Sequence, residues 1–287
     1  MPKTLAYLGP EGTFTHQAAQ IFTTHYTTDS AYKLLPCPDI PEVMEAVAQG
    51  TVEQGIVPAE NSIAGTVNIT ADLLAHELNL FIQGEIVLDI THHLLSFTPD
   101  LAQIHTVISH PQALAQCRHF LKNHLPHATI LKKESTAEAV RLLKEEKQTG
   151  TAAIGSLASH LHYQVPIKYW HIGDFPHNQT RFLLLEKNPL PHPNPQKTSL
   201  IVFPQANRPG QLYEILGVFA KYKLNLCKVE SRPDKKELGS YLFLIDYEST
   251  LPSSKLQPVF LELKKVTISY KNLGSYPVYR YKDKSNH

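Results

Sequence analysis

The sequence predicts an α/β chain, a larger domain of alternating strands and helices followed by a smaller α+β domain. Three patterns carry this reading. Short apolar strands alternate with helical periodicities up to about residue 187, the mark of parallel α/β units. Residues 188–196 are then rich in proline, with Pro189, Pro191, Pro193 and Pro195 in alternation. Beyond them the order is strand, helix, strand, strand, helix, strand. A chain of 287 residues with 42% hydrophobic content is long enough for about two cored domains.

The elements follow in order. Leu5 to Leu8 reads as a strand and Gly9 to Gly12 as a tight loop, after which Thr13 or Thr15 caps a helix carrying Ala18, Ala19 and Phe22. Asp39, with Glu42 three residues on, opens a second helix whose apolar stripe is Val43, Ala46 and Val47. Gln54 to Val57 is a short strand ending in the polar cluster Pro58, Ala59, Glu60, Asn61, Ser62, before a helix with Leu73 and Leu74. Strands are expected at Phe81 to Gln83, Glu85 to Leu95 and Val107 to Ile108. Ser109, His110, Pro111 then opens a helix with proline in its first turn, where a missing N–H costs nothing. Gln112 and Gln116 lie one turn apart on it. Ser135 and Glu138 form another capping box, Ala152 to Ile154 another strand, and Gly155, Ser156 another helix start.

Composition excludes several classes. A net charge of +1 offers nothing to nucleic acid or an anionic membrane. The apolar run after Lys3 is too short for a signal peptide, and no segment approaches the length of a membrane span, so a cytoplasmic protein is expected. Three scattered cysteines, Cys37, Cys117 and Cys227, argue against a disulfide framework and read as buried small hydrophobes. Despite sixteen histidines there is no HExxH or CxxC, and neither His92/His93 nor His160/His162 has an accompanying ligand, so no metal is expected. Gly9 and Gly12 lack the GxGxxG spacing and no Walker lysine follows, which discounts NAD and nucleotide cofactors.

Parallel topology gathers strand mouths on one side, so helix N-termini near residues 13, 62, 111 and 156 are expected to ring one crevice. The cluster Asn178, Gln179, Thr180, Arg181, Phe182 runs into the strand Phe182 to Leu185 at the end of this domain. By itself the pentapeptide more often marks a strand start with a surface ion pair. With the crevice, Arg181 becomes a fixed cation suited to a small polyanion such as a dicarboxylate.

Five motifs in order carry a family resemblance. They are the strand and Gly-rich loop Tyr7 to Phe14, VPxENS at Val57 to Ser62, SHPQALAQC at Ser109 to Cys117, NxTRF at Asn178 to Phe182 and ESRP at Glu230 to Pro233. The chain resembles the monofunctional prephenate dehydratases with a C-terminal ACT regulatory domain. The resemblance implies a two-lobed catalytic domain similar to type 2 periplasmic-binding folds over residues 1–187, with lobes of about 1–83 plus 165–187 and 84–164. A linker over 188–196 and a ferredoxin-like βαββαβ ACT domain over 197–287 would complete the chain.

It implies a carbon–oxygen lyase of L-phenylalanine biosynthesis, converting prephenate to phenylpyruvate without metal or cofactor, feedback-regulated by L-phenylalanine and acting as a homodimer or homotetramer. Thr180 is carried over as the principal catalytic residue, a hydrogen-bond donor to the leaving oxygen. Arg181 would hold a carboxylate or brace the site, and Glu60 is either a proton source or an orienting ion-pair partner. Thr13, Asn61, Ser62, Ser109, Gln112, Gln116 and Phe182 are carried over as substrate-binding or supporting residues. Gly210, Gln211, Leu212, Glu230, Ser231, Arg232 and Pro233 are carried over to the effector site, where Gln211 departs from the usual small residue. The alternatives are an arogenate dehydratase, which the motifs do not separate, and a non-catalytic amino-acid sensor.

Overall fold

The computed structural model describes residues 2–27, 32–146, 149–205, 207–248 and 256–281. The expected outer limits at residues 1 and 282–287 lie outside it. The first lobe holds β1 (Thr4–Leu8), α1 (Phe14–His25), β2 (Lys33–Cys37), α2 (Ile40–Gln49), β3 (Gln54–Asn61), β4 (Gly65–Thr66), α3 (Asn68–Asp72) and β5 (Phe81–Asp89). The second holds β6 (His93–Leu95), β7 (Thr106–Ser109), α4 (Pro111–Gln116), α5 (Arg118–His124), β8 (Thr129–Lys132), α6 (Thr136–Glu146), β9 (Thr151–Gly155), α7 (Leu157–Tyr163) and β10 (Ile167–Tyr169). The chain then returns to the first lobe as β11 (Gln179–Glu186).

Local chemistry accounts for the helix starts. Thr13 caps α1 by accepting from His16 N, Asp39 caps α2 by accepting from Glu42 N at 2.8 Å, and Ser135 Oγ accepts from Glu138 N at 3.0 Å. Val43, Met44 and Val47 of α2 are fully buried, each contributing roughly 1.5–3 kcal/mol over exposure.

The sheets are mixed rather than parallel. The first has the order β16 (Val278–Tyr281), β5, β11, β3, β1, β2, where β1 pairs in parallel with β2 and β3 while β11 runs antiparallel to both β3 and β5. The second has the order β10-β6-β9-β7-β8. Residues 84–89 therefore belong to the first lobe and 167–169 to the second, a correction to the expected division. The strand expected from Glu85 to Leu95 is broken between Asp89 and His93, and the connection there crosses between the lobes. Within β3, Pro58 lacks the N–H a central strand needs, and the register against β11 shifts between Arg181 and Phe182 to accommodate it.

The second domain is β12 (Lys197–Pro204), α8 (Gln211–Lys221), β13 (Asn225–Pro233), β14 (Tyr241–Glu248), α9 (Gln257–Val266) and β15 (Thr267–Tyr276), the expected βαββαβ order with sheet order β13-β14-β12-β15. Residues 188–196 hold no regular element, but they do not separate two independent bodies. Ile201, Leu242, Leu273 and Tyr276 pack in one apolar cluster with Leu80, Ile82, Leu183 and Leu185 of the first lobe. Gly274, at φ +127°, lies so close that an added Cβ would meet Ile82 O at 2.6 Å.

The C-terminal segment corrects the expected domain limit. β16 (Val278–Tyr281) leaves the second domain and pairs in parallel with β5, completing the first lobe's sheet. There Tyr279 stacks on Tyr26 at 4.4 Å between ring centroids and leans on Phe22 of α1. Cys37 and Cys117 are buried as expected, whereas Cys227 is exposed. Tyr279→Ala is expected to lower stability by about 1–2 kcal/mol through the lost aromatic contacts, read as a lower urea midpoint.

Candidate active site

The site is built on β3 and β11, whose ends pair Thr180 with Asn61 and Arg181 with Glu60. Successive strand residues face opposite sides. Thr180 and Asn61 therefore face a cleft between the lobes, while Arg181 and Glu60 face the second domain.

The cleft has a volume of about 270 Å³ and is walled by residues of both lobes, among them Thr13, Phe14, Asn61, His92, Gln116, Thr180 and Phe182. Asn61 organises its floor. Its Oδ1 accepts from the backbone N–H groups of Ile63 (3.1 Å) and Ala64 (2.9 Å), which fixes the direction of the amide. Its Nδ2 then donates to Thr180 Oγ1 at 2.9 Å and to Asn178 Oδ1 at 2.7 Å. As the acceptor of that bond, Thr180 keeps its own proton for donation. Asn178 Nδ2 donates to Gln116 Oε1 at 3.0 Å, and the same oxygen lies 2.9 Å from His92 Nε2.

The electrostatics of the cleft differ from the expectation. No lysine or arginine is found among the described residues of its wall. Positive potential comes instead from α1, 12 residues long, whose first-turn N–H groups at Phe14 and Thr15 have no acceptor within the helix. The N-terminus of α6 adds Ser135 and Thr136, opposed by Glu134. Burial holds both His92 and His110 below the ordinary imidazole range, against Gln116 for the first and Glu134 for the second. Nδ1 of His110 accepts from Gln112 N at 3.2 Å, so the neutral ring carries its proton on Nε2.

Of the residues singled out from the sequence, Thr13, Asn61, Gln112, Gln116, Thr180 and Phe182 line the cleft. Others do not. Arg181 is spent on Glu85 (2.6 Å), Asp246 (2.6 Å), Glu60 (3.4 Å) and the Tyr276 hydroxyl (3.0 Å). Burial disfavours its charge, but Asp246, Tyr276 and Glu85 outweigh that and hold its pKa well above the usual value. Glu60 is bound to Lys228 at 2.8 Å, which leaves the ion-pair role and removes it from the substrate. Ser62 accepts from Gln179 N at 2.9 Å, and Ser109 donates to Ile154 O at 2.7 Å, so both lock strands together. Helix starts near 62 and 156 do not ring the cleft either. A hairpin turn occupies 62–64, and Ser156 and Ser159 both donate to the carbonyl of Gly12 across the lobes.

The sequence reading put Arg181 and Glu60 in the cleft with Thr180 and Asn61; applying the two-residue period of a strand would have set them on the opposite face. His92 and Asn178 were given no role in the site; Asn178 stands two residues before Thr180 in the NxTRF motif, whereas His92 had no such local signal. Among the described residues no group of three or more potential ligands is placed to hold a metal.

A second cavity, about 400 Å³, lies in the C-terminal domain among Arg208, Gln211, Leu212, Ser231 and Tyr241. Gln211 is buried, its Nε2 donating to Val266 O at 2.8 Å and its Oε1 without a partner among the described residues. Gly210, at φ +84°, caps α8. Glu230 and Arg232 turn the other way. Glu230 bonds Thr66 and pairs with Lys228 at 3.1 Å, and Arg232 pairs with Asp72 at 2.8 Å and donates to Asn68 Oδ1 at 2.7 Å. Pro233, the next residue, lines a neighbouring surface hollow with Tyr241.

Asp72 and Glu230 are both held below the ordinary carboxylate range. Burial acts against this, but Lys235 and Arg232 for the first, and Thr66 and Lys228 for the second, prevail. A depressed folded pKa stabilises above the unfolded value and is lost as pH falls through the folded one. The domain contact is therefore expected to hold at neutral pH and to weaken below about pH 4. Asp72→Asn should flatten that acid limb of the stability curve, measured by thermal melts between pH 7 and pH 3.

Comparison with known proteins agrees with this layout. The family model "Prephenate dehydratase" matches residues 5–190. A relative from Methanocaldococcus jannaschii named prephenate dehydratase is 41% identical over 281 residues, covering 97% of this chain and 100% of its own. The structure of prephenate dehydratase from Arthrobacter aurescens in complex with L-Phe superposes with a TM-score of 0.83 at 32% identity, covering 96% of this chain and 90% of that one. A structure described as GqqA, a novel type of quorum quenching acylase, superposes at 0.81 with 28% identity, covering 96% and 98%.

Proposed function

Because the chain belongs to the prephenate dehydratase family, we propose that its cleft converts prephenate to phenylpyruvate, carbon dioxide and water as a carbon–oxygen lyase of L-phenylalanine biosynthesis. The observation that carries this is the Thr180 hydroxyl, oriented by Asn61 and turned donor at the wall of an amide-ringed cleft.

Prephenate is a dicarboxylate with a ring hydroxyl. As the ring carboxylate leaves as carbon dioxide, its bonding pair enters the ring and the C–O bond to the hydroxyl breaks. The hydroxide is neutralised to water by one proton from the medium, and aromatisation drives the step. Thr180 is too weak an acid to deliver that proton outright, so it stabilises the charge growing on the departing oxygen. The N–H groups of Phe14 and Thr15 suit a carboxylate, and Phe182 packs beside the ring. All of this is positioning and electrostatics by the chain's own groups.

The fold alone does not choose this chemistry, since a closely superposing structure is described as an acylase. An acylase acting through Thr180 needs a base to take its proton. The side chain bonded to Oγ1 is a donor, Asn61 Nδ2, which favours the lyase.

We read the second domain as an ACT domain that binds L-phenylalanine in the cavity beside Gln211 and Ser231, with Gln211 Oε1 offering an acceptor to the ammonium group. The βαββαβ order and the L-Phe complex of the Arthrobacter relative support this. The route to the active site is short. Lys228 and Asp246 of this domain hold Glu60 and Arg181, each adjacent in its strand to a cleft residue. Assembly into a homodimer or homotetramer rests on the edge strand β13, which among the described residues pairs only with β14. A cytoplasmic setting rests on the free cysteines, and no helix among the described residues is long and apolar enough to cross a membrane.

Purified protein given prephenate, with no metal or cofactor added, should form phenylpyruvate and do so faster than it acts on arogenate. Thr180→Ala should lower kcat by about 10²–10³-fold with little change in KM, and Thr180→Ser should restore much of it. No product at all leaves the amino-acid sensor standing. Lys228→Met, which cuts the tie to Glu60 and Glu230, should raise the L-phenylalanine concentration for half-inhibition by about tenfold while catalysis persists.

A further inference from the structure

The cleft floor carries a chain of amides whose direction is set at one end. Asn61 Oδ1 faces two backbone N–H groups, so its Nδ2 must face Asn178 Oδ1. Asn178 Nδ2 must then face Gln116 Oε1, and this oxygen can only accept. The His92 nitrogen 2.9 Å away is therefore the protonated one. All four side chains are buried, at 8% exposure for Asn61, 3% for Asn178 and 5% each for Gln116 and His92. Two atoms are left without a partner among the described residues, Gln116 Nε2 and His92 Nδ1, both buried in residues that wall the cleft. A buried amide N–H₂ without an acceptor costs stability, so its retention points to a partner that arrives with the substrate.

We propose that Asn178 and His92 are positioning residues that hold the Gln116 amide with its N–H₂ as a donor to substrate. This rests on the lyase reading above and adds to it the polarity of the site. The pair forces Gln116 Oε1 away from the substrate's oxygens, because that oxygen receives one hydrogen bond from each of them. Together with Thr180, the chain offers donors to the substrate from both ends of the relay. A dianion that sheds hydroxide needs such an arrangement, and an acceptor in either place would repel it.

Asn178→Asp tests the direction with little change in shape. The carboxylate still accepts from Asn61 but opposes Gln116 Oε1, so the Gln116 amide turns over, offers its oxygen to the substrate and drives the His92 proton from Nε2 to Nδ1. Nitrogen-15 NMR of labelled histidine should show the Nε2–H tautomer in the parent protein and the Nδ1–H tautomer in Asn178→Asp. The value of kcat/KM should fall by about 100-fold with the circular dichroism spectrum unchanged. His92→Gln restores a donor to Gln116 and should keep at least about a tenth of kcat, whereas His92→Phe, which adds no charge, should lose about 100-fold. An Nδ1–H tautomer in the parent protein overturns the proposal, as does unimpaired turnover in Asn178→Asp or equal activity of the two His92 variants. A parent protein that forms no phenylpyruvate overturns the lyase reading instead, and the tautomer still decides the relay.

Discussion

The structure depends on one buried cation. Arg181 sits near the start of β11 with its side chain 14% exposed, between Glu85 at 1% and Asp246 at 7%. A buried charge that loses its partner costs about 3–5 kcal/mol, so the guanidinium cannot swing away unless its partners follow. Lys197 completes the arrangement by meeting Glu85 from the second domain at 2.6 Å. The polar centre is set in the apolar cluster shared by both domains, which keeps water from screening it.

Pinning Arg181 pins its neighbour. The backbone of β11 is paired on both sides, to β3 and β5, so the position of Thr180 is set by the same strand whose next residue is clamped to the second domain. The chain thus turns one face of a strand to the cleft and the other to holding the domains together. A displacement at Asp246 or Lys228 reaches Thr180 or Asn61 through a single peptide unit. The small distance matters because the proposed chemistry is positioning of a weak donor, and such donors lose effect steeply with geometry.

Leaving the cleft without a lysine or arginine has a physical rationale. A fixed side-chain cation would bind substrate and product carboxylates alike, whereas oriented N–H groups and a hydroxyl can be aimed at the oxygen where charge develops. Phenylpyruvate keeps a single carboxylate, so a site built on dipoles releases it more readily than one built on an ion pair. The paired charges stand outside the cleft, at the domain boundary, where they serve cohesion.

Much was legible from residue order alone. The caps Thr13, Asp39 and Ser135, the apolar stripe of α2, the proline-rich break and the βαββαβ order all rest on contacts within a few residues or on a repeating period, and those survive without knowledge of the rest of the chain. The alternation of a strand, had it been applied to Thr180 and Arg181, would have set them on opposite faces. Which face meets substrate was decided by the packing of sheets between lobes and domains, for the cleft forms only where β3, β11, α1 and α4 come together. The placement of β16 in the first lobe, the diversion of Glu60 and Arg181 to the domain boundary, and the direction of the amides from Asn61 to His92 rest on partners dozens of residues or more apart. No local pattern encodes such pairings, because a hydrogen bond's direction and a charge's partner are properties of the folded neighbourhood.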